Sequence, residues 1–120
     1  MKIKFTIPSI FVSINSQYSF SKYGRRHFLT NKARAYKNIV SLIARKTYKG
    51  KILTCPIKME VWYYFPNKKR RDISNDKLTA DALEGIIFVD DKQINNLHLH
   101  KEYNPGNPRT EIIITGWLEN

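Results

Sequence analysis

The stretch from residue 52 to residue 65 constrains the fold most, because apolar side chains recur at every second position along much of it. A two-residue period places alternate side chains on opposite faces of a β-strand. We therefore predict one long strand over residues 52–65 with one buried face. The apolar positions of this face are Ile57, Met59, Val61, Tyr63 and Phe65.

Three other stretches alternate in the same way and predict shorter strands. They cover residues 2–8, 94–103 and 109–117. The last two are separated by Asn104-Pro105-Gly106-Asn107-Pro108, a composition that strongly favours a hairpin or a loop. Residues 9–24 are rich in Ser and Tyr, and we expect an irregular segment there.

Two stretches have a helical period instead. The first begins at Thr30 or Asn31, either of which suits an N-cap, and ends near Lys46. The second runs from about Ser74 to Glu84, where a glycine, Gly85, closes it.

The predicted order of elements is β-α-β-α-β-β, which indicates a single α+β domain over residues 1–120. Such a domain has a mixed sheet with two main helices packed on it. The net charge of +11 makes nucleic acid the leading partner. No apolar run is long enough for a membrane span, and a single cysteine, Cys55, fits a reducing cytoplasm.

The charges are distributed unevenly along the chain. The first 59 residues contain 13 Lys and Arg and no acidic residue, whereas six of the ten acidic residues lie between Asp72 and Asp91. This acidic window directly follows Lys68-Lys69-Arg70-Arg71. A basic surface binds phosphates, and a small acidic focus holds the divalent cation that assists phosphodiester cleavage. The pattern predicts a metal-dependent nuclease.

Two acidic pieces flank the second predicted helix, Asp72 with Asp76 and Asp90 with Asp91. Asp76 falls on the apolar side of the helix, where a carboxylate is costly unless it is paired or binds a metal. A first-turn Asp that complements the helix dipole explains Asp76 equally well, and the other three suit turns when taken singly. If the pieces converge on one cation, their hard oxygen ligands favour Mg²⁺, with Mn²⁺ as a substitute.

The opposite side of this helix carries Lys77, Asp81 and Glu84, and we interpret it as the solvated side. Lys77 and Asp81 form an (i, i+4) pair. A lysine beside a metal site also suits the charge that develops on a scissile phosphate. Spacing alone leaves both roles open for Lys77.

Other site chemistries find less support in the sequence. His98 and His100 share one strand face, but a third zinc ligand is not evident and Cys55 has no partner at zinc-site spacing. Basic residues are instead expected to contact DNA phosphates. These residues are Arg25, Arg26, Lys37, Lys68, Lys69, Arg70 and Arg71.

The chain resembles the RusA family of Holliday junction resolvases, which are small basic endonucleases of phages and prophages. The resemblance covers nearly the whole chain and includes Val12-Ser13-Ile14-Asn15-Ser16 near the N-terminus. Its most specific part begins with Arg71-Asp72-Ile73-Ser74-Asn75-Asp76-Lys77. It continues through Asp81-Ala82-Leu83 to Val89-Asp90-Asp91-Lys92-Gln93-Ile94.

The resemblance implies a homodimeric, magnesium-dependent nuclease, associated with the nucleoid, that resolves four-way DNA junctions by paired symmetric nicks in recombination and repair. The metal-binding aspartates would be Asp72 and Asp91, with Asp90 close by. The family lysine would be Lys77, and Asn15 would contact DNA.

One departure from the family pattern concerns the metal ligands. Ser74 stands where the family has its second aspartate. We expect Asp76 to replace the missing carboxylate and to join the catalytic residues Asp72, Lys77 and Asp91. Two alternatives stay open: Asn75 or Ser74 completes a weaker site, or the protein binds junctions and cuts poorly.

Two other functions compete with a resolvase. The first is a nucleic-acid-binding module without catalysis, which the altered Ser74 position would explain. The second is a small metal-independent ribonuclease that uses His27, His98 or His100. The clustered carboxylates argue against the ribonuclease, because without a cation they would repel the substrate backbone.

Overall fold

The computed structural model describes residues 1–8, 18–20, 27–29, 31–68 and 76–117, the last range including a 3₁₀ turn over Asp91–Gln93. Its strands and helices, in chain order, are β1 (Lys2–Ile7), β2 (Tyr18–Phe20), β3 (His27–Leu29), α1 (Asn31–Thr47), β4 (Ile57–Phe65), α2 (Asp76–Leu83), β5 (Ile94–Tyr103) and β6 (Arg109–Gly116).

Four of the strands form one mixed sheet in the order β1-β6-β4-β5. β6 pairs antiparallel with both β1 and β4, and β4 pairs parallel with β5. α2 lies in the connection between the two parallel strands. The predicted α+β class, mixed sheet and order of main elements are confirmed. None of the helices in the described ranges has the length and apolar character needed to cross a membrane.

Two features differ from the sequence predictions by more than one or two residues at an end. The long strand begins at Ile57 instead of residue 52, and the residue before it is Pro56, which has no N–H to donate to a strand ladder. Within and just after the segment expected to be irregular, the backbones of β2 and β3 pair as a separate antiparallel two-stranded sheet.

The core lies between one face of the sheet and the two helices. The alternating face of β4 is buried along its whole length, as predicted. At its centre Val61 pairs with Ile112 of β6, which pairs in turn with Phe5 of β1. Burial of each such side chain stabilises the fold by about 1.5–3 kcal/mol. From α1, the core takes in Ala33, Tyr36, Val40 and Ala44.

Two side-chain hydrogen bonds join α1 to α2. The hydroxyl oxygens of Tyr36 and Thr79 lie 3.0 Å apart in the core. The Ser41 hydroxyl donates to the Ala82 carbonyl oxygen at 2.8 Å. Because α1 also packs on β1, these bonds place α2 at a defined position relative to the sheet.

We expect Tyr36→Phe to lower the free energy of unfolding by about 1–2 kcal/mol at neutral pH, because Thr79 and Thr110 lose a buried hydrogen-bond partner. Burial raises the pKa of Tyr36 from its ordinary value of 10.0 to about 12. The stabilisation is therefore complete below the unfolded-state pKa and is lost as pH rises through the folded-state pKa. Urea unfolding measures the free energy of unfolding of the wild type and of Tyr36→Phe, and the gap between the two values should narrow between about pH 9 and about pH 12. A gap that stays constant over this range would contradict the prediction.

The opposite face of the sheet carries aromatic and polar side chains. The rings of Trp62 and His100 stack with centroids 3.7 Å apart, and the rings of His98 and His100 lie 6.4 Å apart. Within the described ranges, neither histidine belongs to a group of three potential metal ligands. The histidines thus form part of a ring stack on this face.

Candidate active site

One face of α2 presents Lys77 and Asp81, and Glu84 extends the same face just beyond the helix. Residues spaced i, i+4 and i+7 lie above one another on a helix. The Lys77 Nζ atom lies 3.5 Å from the Asp81 Oδ1 atom, and the side chains are 70% and 30% exposed. The predicted ion pair is therefore present. The other side of α2 is buried, with Leu78 and Leu83 in the core.

A tight turn after α2 brings the chain back along this face. Gly85 has a φ angle of +78°, which glycine adopts without the steric cost of a Cβ atom. Its N–H donates to the Phe88 carbonyl oxygen at 2.7 Å. Ile87 and Phe88 are fully buried, so the core anchors the turn. The segment that follows carries Asp90 and Asp91.

Three carboxylates converge where this segment meets α2. Asp81, Glu84 and Asp91 each offer an oxygen, and these oxygens lie within 4.8 Å of one another. The Asp91 N–H also donates to the Glu84 Oε1 atom at 3.1 Å. Like charges at such separations repel, and a divalent cation between them would offset that repulsion. Carboxylate oxygens are the ligands that Mg²⁺ prefers, so the donor set fits the ion that the sequence predicts.

A cleft of about 270 Å³ lies beside these carboxylates. Lys77 and Asp91 form part of its lining, so the predicted catalytic lysine and one predicted metal ligand face the same space. Its remaining lining residues come from α2, β4 and the start of β5, and they are Met59, Ala80, Ile94 and Leu97. A charged group bound there would meet Lys77 and Asp91 against a largely apolar wall.

Asp90 and Asp91 have different surroundings. The Asp90 carboxylate accepts from the Lys92 N–H at 2.9 Å and caps the 3₁₀ turn. This hydrogen bond lowers the pKa of the exposed Asp90 carboxyl, and a side-chain hydrogen bond with Asp91 lowers it further. The group of three carboxylates includes Asp91 and not Asp90. Metal binding by Asp90 stays a prediction.

The remaining predicted site residues are placed only in part. Asp76 begins α2, but its side chain lies outside what the structure describes. Lys37 is half-buried on α1, and the exposed Lys68 has its Nζ atom 5.2 Å from the centre of the Tyr103 ring. The others lie outside the described residues, and these are Asn15, Arg25, Arg26, Lys69, Arg70, Arg71 and Asp72.

Asp81 and Glu84 are not among the metal ligands predicted from the sequence. Their helical spacing from Lys77 suggested only a solvated face. In the structure the segment carrying Asp91 folds back toward that face, where Asp81 is half-buried and Glu84 accepts the Asp91 N–H. One sequence feature indicates these two ligands: they share a helix face with Lys77, and a glycine and an Asp-Asp pair follow that helix.

Comparison with known proteins finds one matching family model and several similar sequences. The sequence model of the family described as Endodeoxyribonuclease RusA matches residues 12–115. The chain is 29% identical over 103 residues to the RusA crossover junction endodeoxyribonuclease of Enterobacteria phage 82, covering 84% of this chain and 85% of that protein. The same identity and coverage hold for the RusA protein of Escherichia coli K12. The uncharacterized protein YqaN of Bacillus subtilis is 28% identical over 135 residues, with 93% and 94% of the two chains covered.

Proposed function

The chain belongs to the RusA family of endodeoxyribonucleases, and we propose that it is a magnesium-dependent nuclease that resolves four-way DNA junctions by paired symmetric nicks. We place this activity in DNA recombination and repair. The observation that carries the proposal is the convergence of Asp81, Glu84 and Asp91 beside Lys77, in a chain of net charge +11. The names of the aligned relatives support junctions as the substrate.

Asp81, Glu84 and Asp91 would hold the metal ion, with Mn²⁺ as a substitute for Mg²⁺. When bound, such an ion supplies activation of the attacking water and neutralisation of charge on the phosphate. Asp72 is proposed as a further ligand and Asp90 as a neighbouring one, on the strength of the family pattern. Asp76, on the apolar side of its helix, is proposed to replace the carboxylate that the family has at the position of Ser74.

Lys77 is proposed to act on the scissile phosphate directly. Its ammonium group donates to a phosphate oxygen in the cleft and stabilises the negative charge that develops there during cleavage. Asp81, whose carboxylate lies 3.5 Å from the Lys77 Nζ atom, keeps the ammonium beside the carboxylate group. Ile94 and Leu97 line the same cleft as apolar neighbours of Lys77 and Asp91.

DNA binding is proposed to involve the basic surface as a whole. Each phosphate contact releases counterions, so the affinity for DNA should fall as the salt concentration rises. Opposed nicks in one junction require two active sites in fixed relation, which a homodimer with two-fold symmetry supplies. The proposed contacts are made by Asn15, Arg25, Arg26, Lys37, Lys68, Lys69, Arg70 and Arg71. The site of action is the cytoplasmic nucleoid.

The test of this function is cleavage of a synthetic four-way junction beside a linear duplex, in Mg²⁺ and in EDTA. We expect paired nicks in the junction alone and only with Mg²⁺, made by a protein that is dimeric when bound. Tight binding without cleavage would favour a non-catalytic junction-binding protein. Cleavage of RNA in EDTA would favour a ribonuclease, and a monomer on the junction would contradict the paired-nick mechanism.

Two substitutions of Glu84 separate its proposed metal binding from its hydrogen bond to Asp91. Glu84→Gln keeps an oxygen that can accept the Asp91 N–H but removes the charge. We expect the dissociation constant for Mn²⁺ to rise about tenfold in Glu84→Gln, and more in Glu84→Ala, which loses both contacts. Titration of Mn²⁺ followed by electron paramagnetic resonance measures this. If Glu84→Gln binds Mn²⁺ as tightly as the wild type, Glu84 is not a ligand.

A further inference from the structure

Four successive backbone N–H groups in the segment before β5 donate to side-chain oxygens. The acceptors are the side-chain amide of Gln93 and the carboxylates of Glu84 and Asp90. The bonds are Val89 N–H and Asp90 N–H to Gln93 Oε1, both at 2.9 Å, Asp91 N–H to Glu84 Oε1 at 3.1 Å, and Lys92 N–H to Asp90 Oδ1 at 2.9 Å. The backbone that carries the Asp91 carboxylate is therefore held by side chains on both sides.

Gln93 makes the largest contribution to this arrangement. Its Oε1 atom accepts the two N–H groups, and its Nε2 atom donates to the carbonyl oxygens of Leu53 at 2.9 Å and Cys55 at 3.0 Å. A carboxamide has two N–H donors and an oxygen with two lone pairs. All of these groups are used here, so the Gln93 oxygen has no lone pair left for a metal ion.

The partners on the Nε2 side belong to a well-anchored part of the chain. The Leu53 N–H donates to the Ile87 carbonyl oxygen at 2.8 Å, and the Leu53 side chain is buried in the core. β4, the strand with the buried alternating face, begins directly after this segment at Ile57. Gln93 therefore connects the residues beside Asp91 to the core of the sheet.

We propose that Gln93 is a positioning residue that holds the Asp91 carboxylate at the place where it meets Asp81 and Glu84, and so sets the affinity of the site for its metal ion. This role rests on the proposed nuclease function. Groups that orient metal ligands without touching the metal commonly change metal affinity or activity by about 10- to 100-fold when they are removed.

Two variants of Gln93 test the role. Gln93→Glu keeps an oxygen for the Val89 and Asp90 N–H groups but places a second oxygen against the Leu53 and Cys55 carbonyls. Gln93→Met has a similar length and removes all four hydrogen bonds. The matched control is Asn96→Met, which changes an exposed amide on β5.

Three quantities are measured on the full chain: Mn²⁺ binding without DNA by electron paramagnetic resonance, the Mg²⁺ concentration for half-maximal junction cleavage, and the midpoint of thermal unfolding. In both variants we expect the Mn²⁺ dissociation constant and the Mg²⁺ requirement to rise about tenfold or more. Saturating Mg²⁺ should restore most of the cleavage rate, and junction affinity in EDTA should stay unchanged. Asn96→Met should match the wild type.

Each other outcome has a distinct meaning. A lower unfolding midpoint with unchanged Mn²⁺ affinity and Mg²⁺ requirement would show a structural role only and overturn the proposal. So would a wild-type protein that binds no Mn²⁺. Weaker Mn²⁺ binding by the variants, with junctions uncut even by the wild type, would support the positioning role and contradict the nuclease. If Gln93→Met does not fold, Gln93→Glu carries the test.

Discussion

The Asp91→Asn protein should cleave a four-way junction about a hundred- to a thousandfold more slowly than the wild type in Mg²⁺. Asp91 is the predicted metal ligand that the structure places in the group with Asp81 and Glu84. Asparagine keeps the shape of the side chain and removes its charge. The Asp91 N–H, which donates to Glu84, is retained in the variant, so the fold should persist.

The measurement for Asp91→Asn is the single-turnover cleavage rate, with junction binding in EDTA measured alongside. Binding should be unchanged or slightly tighter, because a negative charge is removed near the DNA backbone. Glu102→Gln is the control, since Glu102 is an exposed carboxylate near the far end of β5 and its variant should cut like the wild type. Near-normal cleavage by Asp91→Asn would remove the basis for a metal site at this position.

Lys77→Met should lower the single-turnover cleavage rate by about a hundredfold, with little change in junction affinity. The Lys77 side chain borders the cleft that Asp91 also lines, and its Nζ atom lies 3.5 Å from Asp81. Methionine keeps most of the length of the side chain and removes the ammonium group. The rate falls because the charge developing on the phosphate loses its donor. Substrate binding depends on many other basic residues and should persist.

The control for Lys77 is Lys46→Met, which removes an exposed lysine in the last turn of α1. Both variants lose one positive charge, so any general loss of attraction for DNA is common to them. Lys77→Arg adds a second comparison, because it restores the charge with a different geometry and should recover part of the rate. Equal small losses in Lys77→Met and Lys46→Met would mean that Lys77 is an ordinary phosphate contact.

The strands and helices of the main sheet could be predicted because their side-chain periods are local properties of the chain. The alternation from Ile57 to Phe65 corresponds to a buried strand face, and the buried positions of α1 repeat with a helical period. The start of β4 was less visible, because residues 52–56 are partly apolar but end in a proline. The β2–β3 pair was missed, because three-residue strands have too few positions to show a period.

The candidate site could be predicted only in part for a different reason. Charge spacing indicates Asp91 and leaves two roles open for Lys77, the family resemblance favours a site role for both, and the structure places both on one cleft. Asp81 and Glu84 were assigned to solvent, because a helical wheel shows which residues share a face but not what covers that face. The serine at position 74 favours Asp76 as the replacement ligand, whereas the described carboxylates that meet Asp91 are Asp81 on α2 and Glu84 just beyond it.

By itself, the sequence determined the α+β class, the buried faces of β4 and α1, the basic character and the acidic window, since each depends on residue types and their spacing. Only the tertiary structure decided which carboxylates converge and how Asp91 is held. Those features depend on the positive φ angle of Gly85, the burial of Phe88 and the hydrogen bonds that join Gln93 to Leu53 and Cys55. The Gln93 hydrogen bonds link residues about 40 positions apart in the chain, and no local period of side chains encodes such a contact.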